Sequence, residues 1–219
     1  MKNIPRIFIG TEILVGRSYP VTRDVSHYLT RVMRTSQCMV FGDGNEYRAH
    51  LCDDNKSLFV DEKTEHVDPS NEITLMFAPI KRTDDLLNMA TQMGVARFQP
   101  VITDRTTAHH INWERMKKIV IEAAEQSNRN TVPQILNPIK FSDLNLSNIA
   151  FADERAAHGK KSDCKSVDPD SILIGPEGGF SDAEFIALDA SGACGISLGK
   201  TILRAELAGA IAIAKILGE

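Results

Sequence analysis

The rhythm of hydrophobic and polar positions changes near residue 70. Before it the apolar runs are short. Arg6-Ile7-Phe8-Ile9 reads as a strand followed by a glycine-containing break, and Tyr47-Arg48-Ala49-His50-Leu51-Cys52 alternates as a half-buried strand does. Phe41-Gly42-Asp43-Gly44-Asn45 has turn chemistry. Between them one helix is expected, capped by Asp24 or Ser26, with Tyr28, Leu29, Val32 and Met33 on one face. These elements predict a small barrel carrying a helix over residues 1–70, closed by a polar linker from His66 to Glu72.

From residue 71 to 219 strands and helices alternate. Ile73 to Pro79 is a mostly apolar run, the pattern of a strand covered on both faces. Asp84 to Met93 places Leu86, Leu87, Ala90 and Met93 at helical spacing and stops at Gly94. Val95 to Ile102 predicts the next strand, and Trp113, Met116, Ile119, Val120, Ala123 and Ala124 line one face of a longer helix. Further strands are expected at Asn148–Ala152, Ser171–Ile174 and Gly195–Leu198. The last helix, from about Ala205 to Leu217, is apolar nearly all round and so predicts burial or a partner. Alternation of this kind implies an α/β domain with a mainly parallel sheet.

Composition narrows the class only a little. With 42% hydrophobic and 25% charged residues among 219, the chain has the makeup of a folded globule. No apolar run reaches the roughly 18 residues of a membrane span, and the first residues lack a signal-peptide stretch, so a cytoplasmic protein is expected. The net charge of −4 hides an asymmetry. Residues 1–50 carry Lys2, Arg6, Arg17, Arg23, Arg31, Arg34 and Arg48 against four acids, while 51–70 is acidic. A local basic patch is what nucleic-acid binding needs, whatever the total. Cysteines 38, 52, 164 and 194 form no Cys-x-x-Cys pair and are expected as four reduced thiols. The six histidines, the adjacent His109 and His110 included, have no metal-ligand spacing, so no metal is expected.

Two stretches carry chemistry. In Ile172-Leu173-Ile174-Gly175-Pro176-Glu177-Gly178-Gly179-Phe180-Ser181, a buried strand enters a glycine-rich turn, then a helix opened by Ser181 and Glu184 at capping-box spacing. Such a turn at the carboxyl end of a strand suits a ligand, and it equally suits a tight connection. In Ile196-Ser197-Leu198-Gly199-Lys200-Thr201-Ile202-Leu203-Arg204-Ala205-Glu206, a second strand passes through a glycine turn into the last helix. Gly199-Lys200-Thr201 ends like a phosphate loop, but the required glycine is replaced by Cys194. Without that loop, Asp153-Glu154 after an apolar strand carries no weight as a magnesium site.

Gly175-Pro176-Glu177-Gly178-Gly179, followed by Leu198-Gly199-x-x-Ile202-Leu203-Arg204-x-Glu206, resembles the signature of the bacterial 16S ribosomal RNA uridine N3-methyltransferases of the SPOUT superfamily. Glu122-Ala123-Ala124-Glu125-Gln126-Ser127-x-Arg129-x-x-Val132-Pro133 is similar to that family's central segment. His27-Tyr28-Leu29-x-Arg31-Val32-Met33-Arg34 with Phe41-x-Asp43-Gly44 is similar to its PUA-like N-terminal domain. The resemblance implies a PUA-like β-barrel at 1–70, which binds RNA, and a SPOUT domain at 71–219 with a deep C-terminal trefoil knot and a homodimer surface. It implies S-adenosylmethionine as cofactor, held by Gly175, Pro176, Glu177, Gly178, Leu198, Gly199, Ile202 and Leu203. Arg204 is implied as the catalytic group, oriented by Glu206, with Arg6, Arg23, Arg31 and Arg34 on RNA phosphates. The implied partner is 16S ribosomal RNA, within the small ribosomal subunit. Ala205 and Leu207 stand where many relatives have threonines, which leaves two alternatives: another base or ribose target on the same fold, or a non-catalytic ribosome-assembly binder.

Overall fold

The computed structural model describes residues 4–10, 12–69, 72–107, 111–160 and 169–218. The chain divides into two compact units, Met1–Ser70 with Ile121–Val132 and Asn71–Val120 with Pro133–Glu219. His109, His110 and Cys164 lie outside the described residues. Cys38 and Cys52 are free, and burial pushes the Cys38 thiol up to about 12. Cys194 is disulfide-bonded, which corrects the expectation of four reduced thiols.

The first unit is a curled, barrel-like sheet. It contains β1 (Arg6–Phe8), β2 (Ser18–Pro20), α1 (Arg23–His27), β3 (Gln37–Phe41), β4 (Glu46–Leu51) and β5 (Ser57–Lys63), with strand order β1-β3-β4-β5-β2. Among the described residues of this sheet, only β1 and β3 pair in parallel. Leu29, Val40, Leu58 and Val60 fill its interior with no exposed surface. The expected helix is altered. Thr22, rather than Asp24 or Ser26, caps α1 by accepting the Val25 amide, and the chain then runs into a π-helical stretch at Tyr28–Met33. The wider turn breaks the 3.6-residue face, so Leu29 is buried while Tyr28 and Val32 face outward.

The segment from 121 to 132 joins this unit through polar contacts. Glu125 accepts the Phe8 amide, and burial raises its pKa. Asp68 accepts the backbone amides of Asn130 and Thr131 at 2.7 and 2.9 Å. The expected linker around His66 is therefore a fastened strap.

The second unit holds β6 (Thr74–Phe77), α2 (Thr83–Gln92), β7 (Arg97–Ile102), the start of α3 (Trp113–Gln126), β8 (Gln134–Ile135), β9 (Ile139–Lys140), β10 (Ile149–Ala152), β11 (Ser171–Ile174), α4 (Asp182–Ser191), β12 (Cys194–Ile196) and α5 (Ala205–Leu217). The sheet order is β12-β10-β11-β6-β7-β8, with β9 also on β7, and these pairings are parallel. All four residues of β11 are buried, as expected for a strand covered on both faces. β12 begins one residue earlier than the sequence pattern suggested and ends two earlier, so Ser197 and Leu198 belong to the turn. From this edge strand the chain returns to set α5 against α2, β10 and β11. Gly209 permits that return: a Cβ there would lie 2.4 Å from Leu86 Cδ1. The buried side of α5 is Ala208, Gly209, Ala212 and Ile213, while Leu207 remains 45% exposed.

Candidate active site

Parallel strands all deliver their carboxyl ends to one edge of the sheet, where open α/β sheets bind ligands. Here the turns after β6, β10, β11 and β12 surround a cavity of about 570 Å³, within the usual range for small-molecule sites of about 300–1,000 Å³. Gly175, Pro176, Glu177, Gly179 and Phe180 come from the turn after β11. Leu198, Gly199, Thr201, Ile202, Leu203 and Arg204 come from the turn after β12. Asp153 and Glu154 follow β10, Arg82 precedes α2, and Glu206 lies in the first turn of α5.

The first glycine turn is tightly organised. The Gly179 amide donates to the Pro176 carbonyl at 2.9 Å, and Ser181 and Glu184 form the expected capping box on α4. Phe180 anchors the turn among Phe141, Phe151 and Phe185, at ring separations of 5.6–6.3 Å. From the turn after β7, Arg105 donates to the Gly178 carbonyl at 2.9 Å, and the Asp104 carboxylate accepts the Ser181 hydroxyl. Gly178 is thus turned to Arg105 and lies just outside the cavity wall, which Gly179 lines instead. The other seven expected cofactor residues do line the cavity.

Arg204 is the N-cap residue of α5, exposed, and among the described residues its side chain has no partner. Glu206 does not orient it. Residues two apart on a helix point in different directions, and Glu206 instead faces Arg82, with Oε1 3.8 Å from Nε. Arg82 also lies 3.6 Å from Asp85. The loop bearing Arg82 had no motif to mark it.

Asp153 was legible only as the end of an apolar strand. Its side chain is 6% exposed and bonded to Arg155 at 2.7 Å, with Lys160 at 3.4 Å. Burial would raise its pKa, but the hydrogen bonds and charge of Arg155, joined by Lys160, outweigh it and keep the carboxyl below its ordinary value. Arg155 also stacks on Phe185 at 3.9 Å and pairs with Asp189.

The expected RNA contacts divide. Arg23, Arg31 and Arg34 are exposed on and just after α1. Arg6 is withdrawn from that set: its side chain is 7% exposed, ion-paired to Glu46, and donates to the Arg129 carbonyl and Asn130 Oδ1. Its Nε is left without a partner among the described residues but is fully buried, so a phosphate does not reach it either. Among the described residues there is no metal-binding cluster, and no helix is long and apolar enough to cross a membrane.

Residues 67–217 match the family model described as an RNA methyltransferase domain. The chain is 33% identical to ribosomal RNA small subunit methyltransferase E of Rickettsia conorii, over 96% of this chain and 94% of that protein. It is 30% identical to the protein of the same name from Synechocystis, over 96% and 76%. A crystal structure of ribosomal RNA small subunit methyltransferase E from Neisseria gonorrhoeae bound to S-adenosyl methionine superposes with a TM-score of 0.82 at 27% identity, over 99% and 98% of the two chains.

Proposed function

The chain belongs to the ribosomal RNA small subunit methyltransferase E family, and we propose that it transfers the methyl group of S-adenosylmethionine to N3 of a uridine in 16S ribosomal RNA. The observation that carries the reading is the convergence of both glycine turns and Arg204 on one cavity. The lining fits the cofactor chemically. With Asp153 paired to Arg155 and Lys160 and Glu206 to Arg82, the carboxylates of Glu154 and Glu177 still outnumber the guanidinium of Arg204, which suits a ligand of net positive charge. Pro176, Leu198, Ile202 and Leu203 offer apolar surface, and the glycines offer bare backbone groups for hydrogen bonds.

Gly175, Pro176, Glu177, Gly179, Leu198, Gly199, Ile202 and Leu203 would hold the cofactor. When bound, it supplies an already activated methyl group, so the protein's main task is alignment, an effect worth roughly 7–11 kcal/mol in favourable cases. Uracil N3 becomes a nucleophile only as its proton leaves, and negative charge then spreads onto the flanking carbonyl oxygens. Arg204 stabilises that charge without itself losing a proton. Its position at the N-terminus of α5 adds the positive end of the helix dipole to the same place. Arg82, steadied by Glu206 and Asp85, sets a second guanidinium in the cavity wall for the substrate. Arg23, Arg31 and Arg34 take RNA phosphates, which positions the substrate without reading its sequence.

The deep trefoil knot belongs to this reading of the turn after β12, and so does pairing of two copies through the outward apolar side of α5, where Leu207 is exposed. The substrate is the RNA within the small ribosomal subunit, and the site of action the cytoplasm.

The test combines labelled S-adenosylmethionine with small subunits lacking the modification, followed by nucleoside mass mapping. The expected product is 3-methyluridine. Arg204→Ala should lower methylation by at least about 100-fold while calorimetric titration still shows cofactor binding. Full activity of that variant, or a different methylated nucleoside, would remove the assignment.

A further inference from the structure

Two successive carboxylates at the end of β10 are shared between the two glycine-rich parts of the cavity. Asp153 lies against Gly195 of β12: a Cβ built there would stand 3.0 Å from Asp153 Oδ2. Glu154 lies over Gly179 of the other turn, where a Cβ would meet Glu154 Oε1 at 2.1 Å. The two carboxylates then differ in their company. Asp153 is neutralised by Arg155 and Lys160, and across the cavity Glu206 is taken by Arg82. Glu154 has neither an ion pair nor a side-chain hydrogen bond among the described residues. Its place is set by the backbone, because it opens the short 3-10 helix capped by Asp153, and by the space that the missing Gly179 side chain leaves. An uncompensated and exposed charge thus lines the cavity beside the turn that carries Glu177.

We propose that Glu154 selects the charged cofactor, holding the sulfonium donor by its positive charge and releasing the neutral thioether that remains after transfer. The inference rests on the methyl-donor reading above. In the transfer the sulfur–methyl bond breaks, its electron pair stays on sulfur, and the new bond forms to N3, whose proton leaves to water. The cofactor therefore loses one positive charge while keeping its ribose, its adenine and its amino-acid end. A carboxylate on the wall is the feature whose attraction changes most between donor and product, since a charge–charge interaction exceeds a charge–dipole one. Neutral contacts from the glycine turns change little.

Calorimetric titration of the full chain with S-adenosylmethionine and, separately, with S-adenosylhomocysteine tests this. In Glu154→Gln the dissociation constant for the sulfonium donor should rise at least about tenfold, and that for the thioether by less than about threefold. Glu154→Ala, which also vacates the space over Gly179, should give the same split. Equal weakening of both ligands would mean that Glu154 touches a part they share, and would overturn the proposal, as would unchanged affinities. A wild-type chain that binds neither ligand would fail earlier, at the cofactor reading itself.

Discussion

Arg6 provides the sharpest test of the structure against the motif, because its basic side chain near the N-terminus marks it for RNA and its surroundings mark it for the interior. The guanidinium is 7% exposed and its partner Glu46 8% exposed. Further contacts run to the Arg129 carbonyl at 2.7 Å, to Asn130 Oδ1 at 3.0 Å and to the face of Phe41 at 4.8 Å. Burial lowers the Arg6 pKa, and the charges of Asp68 and Glu125 partly restore it. Arg6→Ala would leave Glu46 buried without its countercharge, a loss of about 3–5 kcal/mol when one member of such a pair is removed. For a chain of this size that corresponds to a melting temperature lower by roughly 6–20 °C. Urea titration followed by circular dichroism would measure it, beside RNA binding of the folded fraction. Arg6→Met combined with Glu46→Gln should recover part of the loss, because no buried charge is then stranded although Arg129 and Asn130 still lack their donor. An Arg6→Ala variant with an unchanged urea midpoint and weakened RNA binding would refute the reasoning and return Arg6 to the phosphate contacts.

Two other substitutions probe the cavity and the charges behind it. Gly179 has φ +69° and a Cβ there would displace the free end of the Glu154 side chain, so Gly179→Ala should cost about 1–2 kcal/mol for the left-handed backbone and weaken S-adenosylmethionine in calorimetry; a variant as stable and as tight as the wild type would contradict the packing described. Asp189 is held down to about 2, first by its hydrogen bonds with Arg155 and then by Lys160, and so its contribution is present at neutral pH and lost as pH falls from about 4, the unfolded value, towards 2. Being 48% exposed, it should contribute no more than about 1 kcal/mol. The stability gap between wild type and Asp189→Asn in urea melts should therefore close over that acid window, and a gap that held constant or widened there would be the wrong result.

Much of the second unit was legible along the chain. The buried strand at 171–174 could be read from the apolar run Ile172-Leu173-Ile174, and the capping box of Ser181 and Glu184 from their spacing, because both depend on neighbours in sequence. The first unit was less legible. β3 and β5 had no distinct pattern, and the π-helical widening at Tyr28–Met33 shifted a face that a 3.6-residue period placed wrongly. Within the site, the glycine turns could be seen in the sequence, whereas Arg82, after β6, and Asp153 and Glu154, after β10, could not, since they gain meaning only beside the turns from other strands.

Local order, then, was written in the residues themselves: where strands stop, where helices are capped, where backbone must stay bare. The partners of charged groups were decided by the fold. Arg6 and Arg204 are the same residue type, yet one is enclosed by Glu46, Arg129 and Asn130 while the other stands open at a helix start. Glu206 meets Arg82 across more than a hundred residues of chain rather than Arg204 two positions away. Electrostatic and hydrogen-bond energies depend on distance through space and on access to water, and neither quantity can be read from separation along a chain.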